Sequence, residues 1–413
     1  MTDREETFLE EMTIGNGALG ESRLIEDRTT VAAPPQTLTG LFHADERSLS
    51  FIGKPITALA KARTRGAVNR VTKDSLTIGN DVTIRLIGGG KKDKDGNLII
   101  QLPGAGEAKL LRYGVSALTK VNSQFEKKPI LRIYGDTKDF ARACIKDAAR
   151  GIDPRPMATP EEQERENQRA AKALENFVAK LGKNARLLRN GAQFDFVATS
   201  RGKEKRYSGL TMLGAYDIDA DVIMLEFTQT AAEYFVQQPL SITPRAYYAI
   251  DERKPNALAI ADELIRQYGN ENNVIRNTEG VLKIETLLHC TSLPTIDELT
   301  GKGGKNKAGE TVNRTYRYRW IDRIKEPFEE ALDELTQKGL IKDWSYCLSG
   351  KQPLPDDEPI VRYEQFISLY VRFELCGYEP HADRVKLIED KRATQREKSA
   401  QKRRKKATDE AGN

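Results

Sequence analysis

The residues best equipped for chemistry lie in the stretch 313–347, where Arg314, Arg317, Arg319, Arg323 and Lys325 precede Glu326, with Tyr316 and Tyr318 between them. Guanidinium groups donate in a planar fork that matches phosphate oxygens and the O6/N7 edge of guanine. Behind them come Glu326, Glu329, Glu330, Asp333 and Glu334, with no cation until Lys338. Phosphate would repel the acidic half if such a helix lay flat on DNA. A basic front and acidic back therefore suit end-on presentation to a polyanion, as a recognition helix enters a major groove. An ordinary amphipathic surface helix is the other reading of the same charges.

The spacing of Ile321, Ile324, Phe328, Ala331, Leu332 and Leu335 predicts one helix with a single buried face. Gly339 stops it, and Leu340–Tyr346 starts a strand. Together they read as the recognition helix and first wing strand of a winged helix. Lys351 then falls in the wing, the loop before a second strand over Tyr363–Leu375. Upstream, Asn256–Tyr268 is a clean amphipathic helix, and Lys283–His289 and Thr295–Leu299 supply two shorter helical pieces. Residues 301–310, GKGGKNKAGE, form a basic glycine-rich loop.

The same element order is expected earlier in the chain. Lys109–Val121 reads as a helix and Leu131–Ile133 as a strand. Asp136 and Thr137 cap a helix running to about Ala149, with Phe140, Cys144 and Ile145 inward. Thr159-Pro160-Glu161-Glu162 opens a long helix that Gly182 ends, burying Ala170, Leu174, Phe177, Val178 and Leu181 while exposing Arg165, Arg169 and Lys172. A strand over Gln193–Thr199, a basic turn with Arg201, Lys203, Lys205 and Arg206, and a strand over Asp221–Phe227 complete a first helix–strand–wing–strand set.

Residues 1–50 read as a mobile arm. Leu76–Ile78, Val82–Ile87 and Leu98–Leu102 read as short strands, the last two joined by GGGKKDKDGN with its Asp-Gly turn signal. That loop lacks the first aspartate and closing glutamate of a calcium loop and the spacing of a dinucleotide fingerprint. The expected architecture is α+β: an arm (1–50), a β-rich segment with a first winged helix (51–248), a second winged helix (249–376) and a basic tail (377–413). Arg384–Lys406 in that tail carries eleven cations against three acids.

Composition bounds the function. Across 413 residues, 66 basic and 61 acidic side chains leave a net charge of +5, so a nucleic-acid surface must be a local patch. The mean hydropathy of −0.58 is that of a hydrophilic surface. The four cysteines form no CxxC pair, no apolar run reaches the roughly 20 residues that span a bilayer, and the acidic N-terminus is unlike a signal peptide. A cytoplasmic protein with reduced thiols is expected. Its three histidines are scattered, and P-loop, HExxH and GxSxG patterns are absent. Asp217, Asp219, Asp221 and Glu226 are the nearest approach to a magnesium set, and His289 beside Cys290 reads as core packing. The expectation is therefore no enzyme, no cofactor and no metal.

With these residues laid out, the chain resembles plasmid replication initiators of the iteron-binding type over roughly 105–376. The similarity is carried by Leu282-Lys283-Ile284 through Leu287, Pro294, the run Arg323–Phe328 with Ala331, Leu332 and Leu335, Gly339-Leu340-Ile341, and Trp344-Ser345-Tyr346. Val222–Phe227, Ala232–Phe235 and Tyr247–Ile250 look like the junction between two winged helices in that family. The insertion at 301–310 and the proline-rich wing at 350–359 depart from its pattern, and residues 1–104 have no counterpart. The resemblance implies origin binding on double-stranded DNA carrying direct repeats, local melting, recruitment of a host initiator and replicative helicase, and a homodimer that represses its own promoter. A winged-helix transcriptional regulator without a replication role is the main alternative. A metal-dependent nuclease and an RNA-binding adaptor are weaker ones.

Overall fold

The last strand of each three-stranded sheet lies at its centre, and that shared feature organises the chain. The computed structural model describes residues within 41–376. The longer stretches outside the described residues are 1–40, 62–68, 123–128, 270–278, 300–318 and 377–413, with shorter ones between. All elements below belong to the compact unit Phe42–Asn413.

The first set runs α2 (Ala105–Asn122), β7 (Arg132–Asp136), α3 (Thr137–Cys144), α4 (Pro160–Arg186), β10 (Leu213–Ile218) and β11 (Val222–Phe227), with sheet order β10-β11-β7. The second runs α6 (Pro255–Tyr268), β13 (Glu279–Lys283), α7 (Ile284–Cys290), α9 (Glu326–Lys338), β14 (Ile341–Cys347) and β15 (Tyr370–Leu375), with order β13-β15-β14. A short helix, α8 (Ile296–Leu299), follows α7. Both sheets are antiparallel. Strict alternation buries Ile223, Leu225 and Phe227 on β11 and Val371, Phe373 and Leu375 on β15, as a sheet with one packed face requires.

Around the first set lie β1 (Arg47–Phe51), α1 (Lys54–Lys61), β2 (Asn69–Val71), β3 (Ser75–Ile78), β4 (Val82–Leu86), β5 (Lys91–Lys92), β6 (Leu98–Ile99), β8 (Ala192–Ser200) and β9 (Lys203–Leu210). After β11 come α5 (Gln229–Val236), β12 (Leu240–Pro244) and the 3-10 turn Arg245–Ala249. A helical turn, α10 (Tyr363–Ser368), precedes β15.

Several expectations are corrected. The strand at 193–199 does not pair with Val222–Phe227; β8 joins β4 and β9 in a five-stranded sheet, β2-β3-β4-β8-β9. The expected basic turn is itself mostly β9, because Tyr207 stacks on Phe196 at 5.0 Å and closes the apolar face. Gly209 takes φ +65 at the bulge and donates its N–H to Asp195 at 2.7 Å. Likewise β4 does not pair with Leu98–Ile99, whose partner is Lys91–Lys92.

The arm does not extend to residue 50. Phe42 exchanges backbone hydrogen bonds with Tyr134 and Asp136, Ala44 donates to Asp139 at 2.7 Å, and β1 pairs with β12. One continuous core runs through α1, α2, α6 and α9. Tyr363–Ser368 is helical rather than extended: it drives Phe366 fully inside against Trp320 and Phe328. Helix α3 ends at Cys144, five residues short of Ala149, where Ile145 turns extended.

Candidate nucleic-acid interface

Helix α4 is built by a strong start and a long apolar stripe. Thr159 caps it, its hydroxyl accepting from the Glu162 N–H at 3.2 Å, and Pro160 occupies the first position. Gly182 does not end it. Asn184, Ala185 and Leu188 continue the buried stripe of Ala170, Phe177 and Leu181, and this packing outweighs the roughly 1 kcal/mol that an interior glycine costs. At 27 residues the helix spans about 40 Å.

Arg165 and Lys172 lie exposed on it. Arg169 does not face solvent freely. Its guanidinium donates to Glu166 at 3.0 Å, to the Gly151 carbonyl at 2.7 Å and to the Asp153 carbonyl at 3.2 Å. Glu166, 5% exposed, also takes the Arg155 side chain at 2.9 Å and its backbone N–H at 3.1 Å. Hydrogen bonds from Arg155, then Arg169, hold the Glu166 carboxyl down to about 2. This clip fastens the proline-rich connection to α4, so Arg169 is corrected from surface contact to structural tie.

Two exposed cations on the same face of α4 were missed. Lys183 lies about three turns beyond Lys172, nearly in line with it and Arg165, and Arg186 follows one turn later. The four form a ridge opposite the buried stripe. The signal was the helical spacing itself, carried past Gly182, where the expected end of the helix hid it.

The second candidate helix is interrupted. A wide π-helical turn, Ile321–Lys325, leads into α9, and the Glu326 N–H bonds the Ile321 carbonyl five residues back. Pro327 gives the reason: it has no N–H and its ring crowds the carbonyl four residues earlier, which a wider turn relieves. The extra residue rotates the preceding turn. Trp320 and Ile324 point inward, while Ile321, expected inside, is 39% exposed.

Arg323 is exposed and forms no ion pair with a described residue. Arg319 pairs with Asp322 at 2.9 Å, and Lys325 with Glu329 at 3.2 Å. Arg314, Arg317, Arg201 and Lys351 lie outside the described residues, as do the side chain of Lys203, Tyr316, Tyr318, the 301–310 loop and the tail. Lys205 is exposed over the Tyr207 ring at 5.0 Å, and Arg206 is exposed beside it. Both sit on the five-stranded sheet, away from the turn that joins β10 to β11, where a wing of the first set would lie.

The acids of α9 have internal partners. Glu329 accepts from the Tyr346 hydroxyl and Asp333 from the Trp344 indole N–H, each at 2.9 Å. Glu334, 3% exposed, binds Lys254 at 2.8 Å and Lys338 at 3.5 Å. Three of the five acids therefore fasten α9 to β14 and to the start of α6. Glu326 and Glu330 remain outside these ties.

The carboxylates near the β10–β11 turn are also engaged. Asp221 pairs with Lys138 at 2.7 Å, Glu226 with Arg132 at 2.7 Å, and Asp219 accepts the turn's own N–H groups. Among the described residues no group of three or more His, Cys, Asp or Glu side chains could hold a metal ion. His289 is exposed while Cys290 is buried, so only the cysteine packs in the core. No helix among the described residues is long and apolar enough to cross a membrane. What the arrangement offers chemically is charge: an exposed cationic ridge on α4 and, among the described residues, one exposed cation, Arg323, where the chain enters α9. Comparison with protein-family models, curated proteins and solved structures returned no match.

Proposed function

We propose that the chain is a sequence-specific double-stranded DNA-binding protein that initiates replication at a plasmid or mobile-element origin carrying direct repeats. One observation carries the reading. Two three-stranded antiparallel sheets each have their last strand central and are preceded by a helix, a strand and two helices, with β8 and β9 inserted before β10 in the first set and α8 and α10 inserted in the second. Setting those insertions aside, the order supports a winged-helix reading, in which the third helix is the one that enters the major groove. On this reading α4 and α9 are the two recognition helices.

Arg323 and Arg319, with Arg314 and Arg317 before them, would read bases and phosphates at the start of α9. Arg165 and Lys172, extended by Lys183 and Arg186, would follow the backbone beside α4. The loop between β14 and β15, with Lys351, is the wing of the second set. The first set has only a tight acidic turn there, so Arg201, Lys203, Lys205 and Arg206 are assigned no wing role. Melting of the origin, recruitment of a host initiator and helicase, and a repressing homodimer belong to the same proposal.

The test is selection of bound sequences from random duplex DNA near physiological salt, where non-specific affinity is weak. A recovered motif that recurs in tandem beside the coding sequence, and supports maintenance of a small circle carrying both, is the expected result. A single palindrome without maintenance would replace the proposal with a transcriptional regulator. No enrichment would end the DNA reading.

A further inference from the structure

A cleft of about 620 Å³ opens between α3, α4 and the stretch 249–253, and its charge is lopsided. Lys109, Lys146, Arg150, Lys180, Arg253 and Lys338 line it against three carboxylates, Asp147, Asp251 and Glu252. Its size falls within the range of small-molecule sites. Five of the cations have partners: Lys180 pairs with Glu252 at 2.7 Å, Arg253 with Asp251 at 2.6 Å, Arg150 with Asp147 at 3.6 Å, Lys338 with Glu334 at 3.5 Å, and Lys146 donates to the Lys338 carbonyl at 3.0 Å.

Lys109 is different. Its side chain comes from α2, is 4% exposed, and donates to one group, the Ile250 carbonyl. Among the described residues no carboxylate lies within ion-pair range of it. An ammonium carries three donors and a charge whose burial is costly unless it is compensated. Burial lowers its pKa, and the Cys144 thiol beside it is pushed up to about 12 by the same burial and so stays neutral. A structural cap on Ile250 needs one N–H, and the remaining donor capacity of the Lys109 nitrogen faces the cleft with no other described partner.

We propose that this cleft binds a small, multiply charged phosphate compound, with Lys109 at the floor and Arg150 and Arg253 at the rim. The cation excess favours a ligand with several negative charges over a single carboxylate. Guanidinium forks suit phosphate oxygens bidentately. The depth of Lys109 excludes a duplex, whose phosphates cannot reach a side chain so enclosed. The site is independent of the DNA-binding reading and stands if that reading fails.

The experiment is isothermal titration calorimetry of the full chain with inorganic pyrophosphate at constant ionic strength. A single saturable site is expected in the wild type. R150S/R253S, altered at two exposed positions, should weaken it at least tenfold, and K109M should abolish it. Should K109M fail to fold, the rim variant decides alone. No saturable binding in the wild type, or an unchanged Kd in the rim variant, would overturn the proposal. So would displacement of pyrophosphate by a short duplex at comparable concentration, which would give these cations to a nucleic-acid backbone.

Discussion

Arg112 on α2 and Asp262 on α6, 150 positions apart, form an ion pair whose side chains are each 1% exposed. Thr57 adds a hydrogen bond to the same carboxylate at 2.5 Å, and the guanidinium lies 5.4 Å from the centre of the Tyr247 ring. The pair joins the opening helix of the first set to that of the second, and α1 to both.

Breaking that pair from one side strands a buried charge. D262A is expected to cost about 3–5 kcal/mol, whereas the double apolar replacement R112M/D262L should cost much less. Urea denaturation of D262A and of the double variant measures the difference. A double variant as unstable as D262A would show that packing, and not the stranded charge, dominates.

The Glu166 clip has a defined pH response. Because its folded carboxyl titrates at about 2, below the ordinary value near 4.3, its contribution is complete above the ordinary value. It is lost as pH falls towards 2. The difference in Tm between wild type and E166Q should be constant from pH 7 to about 5 and shrink steadily in acid. At neutral pH the variant should also be cut by trypsin after Arg150, before Gly151, several-fold faster.

On the DNA reading, cations at the two helices should fail differently. R323A is expected to cost about 1–3 kcal/mol on the selected sequence if it pairs bidentately with guanine, and little on random duplex. K172A and K183A should weaken both alike and each lower the salt slope by about one. Titrations at three salt concentrations on both duplexes separate the two patterns. Equal losses from R323A on both sequences would remove it from base readout.

Gly339 ends α9 in the left-handed region at φ +76, with nothing within 4 Å of an added Cβ. G339A should therefore cost only the backbone penalty, about 1–2 kcal/mol. The shift appears as a lower urea midpoint with an unchanged slope.

Features governed by near neighbours could be read directly from the chain. Asp136 and Thr159 cap their helices and Gly339 stops α9; α6, expected to bury one face, is instead buried all round from Ala257 to Ile265. The expected helix, strand, loop, strand repeat drew on the wrong strands in the first set. Gln193–Thr199 has the composition and alternation of a strand that could follow α4 into either sheet. Only the fit of Phe194 and Phe196 against β4 and β9 assigns it to the five-stranded one.

The candidate site divides in the same way. The sequence by itself determined which segments carry cations, where caps and stops fall, and that the longest helix begins at Pro160. Those properties depend on a residue and its neighbours within a turn or two. Tertiary structure alone decided that Arg169 is captured by Glu166 and two loop carbonyls, that Glu334 is held by Lys254, and that Lys109 is sealed with a single carbonyl partner. It also set how Pro327 and Phe366 together turn Trp320 inward and Ile321 out. Each outcome depends on a partner distant along the chain, and local periodicity holds no record of which distant partner a side chain will meet.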